Sequence, residues 1–109
     1  MANTFKLKTK ANVGVTTVGI YTAPGATRTV VIGITMSNTS GSGVNVGVGI
    51  TRAGTTEDVK LLKNAPIPQG SSLEFMAGNK IVLEATDTVT VDSDTNNSVD
   101  AALTIMEIT

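Results

Sequence analysis

Val44-Asn45-Val46-Gly47-Val48-Gly49-Ile50-Thr51 alternates branched apolar residues with small or polar ones at every step. Successive side chains of an extended chain point to opposite faces. This period of two therefore predicts a strand with Val44, Val46, Val48 and Ile50 on a core. Immediately before it, Asn38-Thr39-Ser40-Gly41-Ser42-Gly43 is a polar turn cluster. Further back, Arg28 to Ser37 sets Val30, Ile32, Ile34 and Met36 on one face and Val31, Gly33 and Thr35 on the other. Two such strands around a short polar loop predict a hairpin whose apolar faces share one core.

The same reading extends in both directions. Val13 to Tyr21 is rich in β-branched residues, and Thr22-Ala23-Pro24-Gly25-Ala26 carries the Pro-Gly pair expected at the centre of a type II turn. Val59 to Asn64 resumes the strand pattern. Pro66-Ile67-Pro68-Gln69-Gly70 then ends it, because two prolines cannot sit in a central ladder, which makes this segment an edge or a crossover. Ser71 to Met76 and Lys80 to Glu84 flank a Gly78-Asn79 turn, Asp87 to Asp92 alternates Val89 and Val91 with threonines, and Val99 to Ile108 sets Ala101, Leu103 and Ile105 on one face. About eight short strands at regular spacing, with no window of helical period, predict an all-β, single-domain antiparallel β-sandwich, jelly-roll or Ig-like. Residues 1–12 read as an extended N-terminal arm or edge strand, and 13–109 as the sandwich domain.

In that N-terminal segment Phe5 and Leu7 alternate with Lys6, Lys8 and Lys10, which puts three ammonium groups on one side. Like charges at alternate positions resist unwanted edge pairing. The same arm could instead lie across a neighbouring subunit, so Phe5, Lys6, Leu7, Lys8 and Lys10 are the candidate partner-binding residues. Charge is unevenly distributed over the whole chain. Residues 1–52 hold five cations and no acid, whereas residues 53–109 hold nine acids and three lysines. Interleaved strands with paired charges explain this, as does a bipolar subunit meeting its neighbour head to tail.

Composition closes many chemistries. The chain of 109 residues has no His and no Cys, so the commonest general base, the commonest zinc ligand and the thiolate nucleophile are all missing. Ser and Thr are abundant, but no partner to activate one is identifiable, and no catalytic residue is expected. Gly41-Ser42-Gly43 and Gly47-Val48-Gly49 are followed by strand, not by the helix that a phosphate cradle needs, so no cofactor is expected. Asp92, Asp94, Asn96 and Asp100 have the alternating oxygens of a candidate calcium loop. However, Asn97 stands where the turn glycine belongs and Leu103 where the bidentate glutamate belongs. A net charge of −1 gives no general attraction to nucleic acid or membrane. No apolar run is long enough to span a bilayer, and Met1 to Lys6 lacks the apolar core of a secretory signal.

Ile67-Pro68-Gln69-Gly70-Ser71-Ser72-Leu73-Glu74, Lys80 to Val91, and Ser98-Val99-Asp100 through Glu107-Ile108 resemble small virion structural proteins of tailed bacteriophages, particularly cyanophage-like ones. Val18 to Gly25 and Ile32 to Thr39 are similar to the same group. The resemblance implies a non-enzymatic particle component made in the host cytoplasm and located in the virion. Its expected partners are other capsid or neck and tail subunits, and it is expected to be a homo-oligomer in the particle. A capsid decoration or cement role leads, ahead of a neck, tail or fibre-attachment role. A carbohydrate- or receptor-binding module is the rival from another class, and the scarcity of aromatic residues weighs against it.

Overall fold

The computed structural model describes residues 3–54, 57–75 and 80–109. The expected Gly78-Asn79 turn lies outside the described residues, as does Met76. Nine strands are present among the described residues: β1 (Asn3–Val13), β2 (Val18–Thr22), β3 (Arg28–Asn38), β4 (Val44–Arg52), β5 (Glu57–Ile67), β6 (Ser72–Phe75), β7 (Ile81–Leu83), β8 (Thr88–Ser93) and β9 (Val99–Ile108). They form two antiparallel sheets. The five-stranded sheet runs β1-β9-β3-β6, with β7 also on β3, and the four-stranded sheet runs β2-β8-β4-β5. The chain is thus the all-β sandwich that its alternating pattern predicts.

The core lies between the sheets. The five-stranded sheet contributes Val31, Ile34, Met36, Leu83, Leu103 and Ile105, and the four-stranded sheet contributes Val44, Val46, Val48, Ile50, Val89 and Val91. Each such side chain stabilises the fold by about 1.5–3 kcal/mol relative to exposure. Tyr21 is the one aromatic residue in this buried set.

Three local expectations are corrected. First, β3 and β4 do not form a hairpin, since they belong to different sheets. The loop between them is a crossover held by the buried Asn38 side chain. Its Nδ2 donates to the carbonyls of Ser42 and Ile67 at 2.8 and 2.9 Å, and its Oδ1 accepts from the Ser40 amide and hydroxyl at 2.9 and 2.7 Å. Satisfying four bonds from one buried side chain fixes the chain's exit from the first sheet. The apolar faces of β3 and β4 do meet in one core, but from opposite layers.

Second, β3 does not keep one buried parity. Its register against β9 slips between Val31 and Gly33. Thr29 and Val31 are buried before this bulge, and Ile34, Met36 and Asn38 after it. One extra residue at Ile32 flips the alternation, so Val30 looks outward although the even positions read as a single face. Third, the positive φ at the turn after β2 belongs to Ala26 (58°), so Gly25 is not the second central residue of a type II turn.

Between Val13 and Tyr21 the chain changes sheets instead of continuing as one strand. Gly14 and Val13 carbonyls accept the Ser93 and Ser98 amides there, at 2.9 and 3.1 Å. The prolines behave as expected of an edge. β5 borders the four-stranded sheet, and Pro66 lies opposite Asn45, whose own amide and carbonyl are bonded to Asp94 on the far side. No ladder bond is demanded of Pro66, so its missing N–H costs nothing.

Candidate assembly surface

β1 pairs with β9 in unbroken register from Asn3↔Ile108 to Lys10↔Ala101. The anticipated boundary between residues 12 and 13 falls on a bulge, where Asn12 takes a φ of 58° and its amide donates to Asp100 Oδ1 at 3.0 Å. Val13 is the first fully buried residue of the chain's described part.

Cross-strand partners share a face, so the register fixes where each side chain of β1 points. Lys6, Lys8 and Lys10 are opposite Ile105, Leu103 and Ala101, which belong to the core. Phe5 and Leu7 are opposite Met106 and Thr104, on the outer surface. An amphipathic strand ordinarily turns its apolar side inward, and here the order is reversed. Phe5 is 69% exposed and Leu7 64%.

The outward residues continue as a row across the sheet. Phe5 on β1 pairs with Met106 on β9, Met106 with Val30 on β3, and Val30 with Val82 on β7, itself 58% exposed. The corresponding row on the other sheet is polar: Thr22, Thr88, Thr51 and Asp58 are successive cross-strand partners. Its hydroxyls are hydrogen-bonded, Thr22 to Thr88 at 2.9 Å and Thr51 to Asp58 at 2.9 Å. Among the described residues, only the outer face of the five-stranded sheet offers an apolar strip, and contiguous exposed apolar surface marks interaction sites.

The inward face of β1 is tied down at one point. Lys6 Nζ lies 2.9 Å from Glu107 Oε1, and Tyr21 Oη on β2 donates to Glu107 Oε2 at 2.6 Å while bonding Thr29 Oγ1 at 2.8 Å. Burial pushes the Tyr21 hydroxyl up to about 12, aided by its bond to Glu107 and that carboxylate's charge. The Tyr21 and Lys6 hydrogen bonds hold Glu107 below the usual carboxylate range, against its desolvation. Lys8 and Lys10 have no ion partner within 4 Å among the described residues. The buried Glu107 had a sequence signal: it occupies the next core-facing position after Ala101, Leu103 and Ile105. The outer row had none, because it depends on registers and on the Ile32 bulge.

The candidate calcium residues are near each other in sequence but are engaged separately. Asp92 accepts from Thr17 at 3.0 Å, Asp94 from the Asn45 amide at 3.1 Å, Asn96 from the Val15 amide at 3.4 Å and Asp100 from the Asn12 amide. They pin two segments, residues 12–17 and Asn45 at the start of β4, and no group of three or more acidic ligands is gathered among the described residues. An open recess of about 380 Å³ lies between β4, β5 and β7. Its charged lining is Arg52, Glu84 and Asp87, and Arg52 pairs with both acids at 2.6 and 3.0 Å. Gly47 and Gly49 serve packing: a Cβ on Gly47 would collide with Asp92, and one on Gly49 would lie 2.9 Å from the Val59 carbonyl, whereas Gly41 has open space around it.

No protein-family model and no curated protein matches the sequence. Solved structures do share its fold. A chain of the cyanophage Pam1 capsid asymmetric unit superposes with a TM-score of 0.57 at 17% identity, over 95% of this chain and 85% of that one. A Bacillus endospore appendage protein, from a family of disulfide-linked pili, matches at 0.57 and 16% identity over 99% and 87%. A chain of the infectious bursal disease virus T13 particle matches at 0.59 and 13% identity, over 96% of this chain but 30% of the viral one. The present chain thus spans less than a third of that viral protein. The architecture is that of jelly-roll-like viral capsid chains, shared with a subunit of a cellular filament.

Proposed function

We propose that the chain is a non-enzymatic structural subunit of a virus particle, and within that a decoration or cement subunit on the head of a tailed phage. The observation that carries this reading is the outward row of Phe5, Met106, Val30 and Val82. A freely soluble domain has no need of apolar side chains on the outer face of an edge strand, whereas a subunit that covers this face on a shell gains from burying them. The fold shared with the cyanophage capsid chain over most of both lengths supports the same reading. The pilus alternative is less well served, since the endospore filaments are disulfide-linked and this chain contains no cysteine.

Gold labelling with an antibody to this chain, on purified particles from cells that produce it, tests the proposal. Label on the head surface is the expected result. Label at the neck or tail replaces the cement role with a neck, tail or fibre-attachment role, and absence from purified particles overturns the virion reading altogether.

A further inference from the structure

Among the described residues the sandwich has four sheet borders, and three of them are obstructed. β5 is interrupted by register slips at Val46/Val48 and Val48/Gly49 and carries Pro66. β2 is five residues long and slips between Gly19 and Tyr21. On the far side of the five-stranded sheet, β6 and β7 have four and three described residues. Short, bulged or proline-bearing borders are how proteins prevent strand addition. β1 differs: it runs from Asn3 to Lys10 without a slip, and every second residue points its N–H and C=O away from β9.

A second copy is a poor occupant of this border. Pairing β1 with β1 of another molecule in antiparallel fashion sets residues of like parity opposite one another. In the register centred on Lys8 all three lysines would face lysines, and every shifted register of the same parity that overlaps Lys6 to Lys10 still sets at least one lysine opposite another; like charges directly opposite are destabilising. The lysines therefore bar self-pairing and favour a strand of opposite sign. Phe5 and Leu7, on the other face, leave an apolar surface that an added strand would extend and shield.

We propose that the open border of β1 receives an extended, acidic segment of a different protein as an additional antiparallel strand. Its carboxylates lie opposite Lys8 and Lys10, and its alternate apolar residues lie beside Phe5 and Leu7. Main-chain bonds supply the affinity of such strand addition, and the alternating side chains supply the selectivity. Lys6 is already engaged by Glu107, so Lys8 and Lys10 carry the discrimination. The inference rests on reading the chain as an assembly subunit and names the chemistry of its partner.

The test uses the whole chain and two blocked ten-residue peptides, one alternating Glu with Val and the other alternating Lys with Val. The acidic peptide is expected to bind about tenfold more tightly than the basic one, the scale of two cross-strand charge pairs. Amide NMR shifts should be concentrated on residues 3–10, and added salt should erode the preference. K8E/K10E should reverse it. Because β1 should no longer repel its counterpart in a 1:1 mixture of variant and wild type, that mixture should sediment as a heterodimer while each protein alone stays monomeric. Equal affinity for both peptides, shifts outside β1, or wild-type self-association through β1 overturns the inference. If the variant fails to fold, the wild-type peptide preference and its salt dependence still decide the matter. Particle labelling is read independently, so head-surface label with no peptide preference removes only the strand-addition inference.

Discussion

Tyr21 on β2 donates its hydroxyl proton to Glu107 on β9 at 2.6 Å, joining the two sheets through the interior. Because that proton is committed to Glu107, the Thr29 hydroxyl, 2.8 Å away, is the donor in its own bond to Tyr21. Lys6 closes the network from β1, so one carboxylate holds both the neighbouring sheet and the edge strand. Breaking the network leaves a buried carboxylate short of a donor, which is costlier than the bond's net worth.

The first expectation concerns pH. Tyr21 has its folded pKa raised to about 12, so its contribution to stability is complete below about pH 10, the unfolded value, and is lost as pH rises from there toward 12. Glu107 has its folded pKa lowered, so its contribution is present above the ordinary carboxylate range and disappears as pH falls through the folded value. The chain has a single Tyr and no Trp, so tyrosinate absorbance follows this one site. A native midpoint near 12 that returns to about 10 in denaturant is expected, and a native midpoint near 10 would contradict the buried bond. Tyr21→Phe should cost about 1–3 kcal/mol in chemical denaturation.

The crossover at Asn38 makes a second case. Asn38→Ala removes four hydrogen bonds and strands the Ile67 carbonyl, a partner at a fully buried residue. A loss of about 2–3 kcal/mol is expected, the scale of a buried acceptor left unsatisfied together with lost bonding. Urea melts of the variant measure it. Ser40→Ala removes one half-buried hydroxyl but keeps the Asn38 bonds to Ser42 and Ile67, and should cost about 1 kcal/mol or less, which separates the crossover's anchor from its periphery.

Much of this architecture was legible in residue order and the rest was not, for identifiable reasons. Val44 to Ile50 reads correctly as a strand with its valines and Ile50 in the core, but not as a half-buried one, since Gly47 and Gly49 on the opposite face are buried as well. Arg28 to Asn38 misleads because a bulge at Ile32 adds one residue, and a period-two pattern cannot reveal where its own parity changes. The pairing of β3 with β9 rather than β4 is a long-range choice that no local propensity encodes, although Asn38's contacts with Ser42 and Ile67 hold the crossover it requires. At the assembly surface, the Phe5–Leu7 alternation with lysine was visible, but its direction was not. Only the register with β9 shows that the apolar side faces outward.

Gly49 offers a third test. It faces away from the core between Val48 and Ile50, where the Val59 carbonyl of β5 and Thr90 Oγ1 of β8 close over it. An added Cβ would lie 2.9 Å from a backbone oxygen that cannot rotate away. Gly49→Ala is therefore expected to destabilise by about 1–3 kcal/mol, the usual cost of overpacking. Gly25→Ala, with open space at the Cβ position, is the matched control and should change the midpoint by less than about 0.5 kcal/mol. Equal effects at both sites would mean that loss of glycine as such, and not the close approach of β5, sets the cost.

The outer row gives the last expectation, and it separates folding from assembly. Phe5 and Leu7 are more than half exposed, so Phe5→Ser with Leu7→Ser removes little buried area and should leave the melting midpoint within about 0.5 kcal/mol of wild type per site. The same side chains lie in the surface proposed to be covered in a particle, where burial of a large apolar residue is worth about 1.5–3 kcal/mol. The double variant should therefore fold normally and yet be depleted from purified particles when co-expressed with tagged wild type. A control at Thr22 and Thr51, on the polar row of the opposite sheet, should retain its share. If the Phe5 and Leu7 variant unfolds early, those side chains belong to the fold's own packing. If it folds and partitions equally with wild type, the covered surface lies elsewhere on the sandwich.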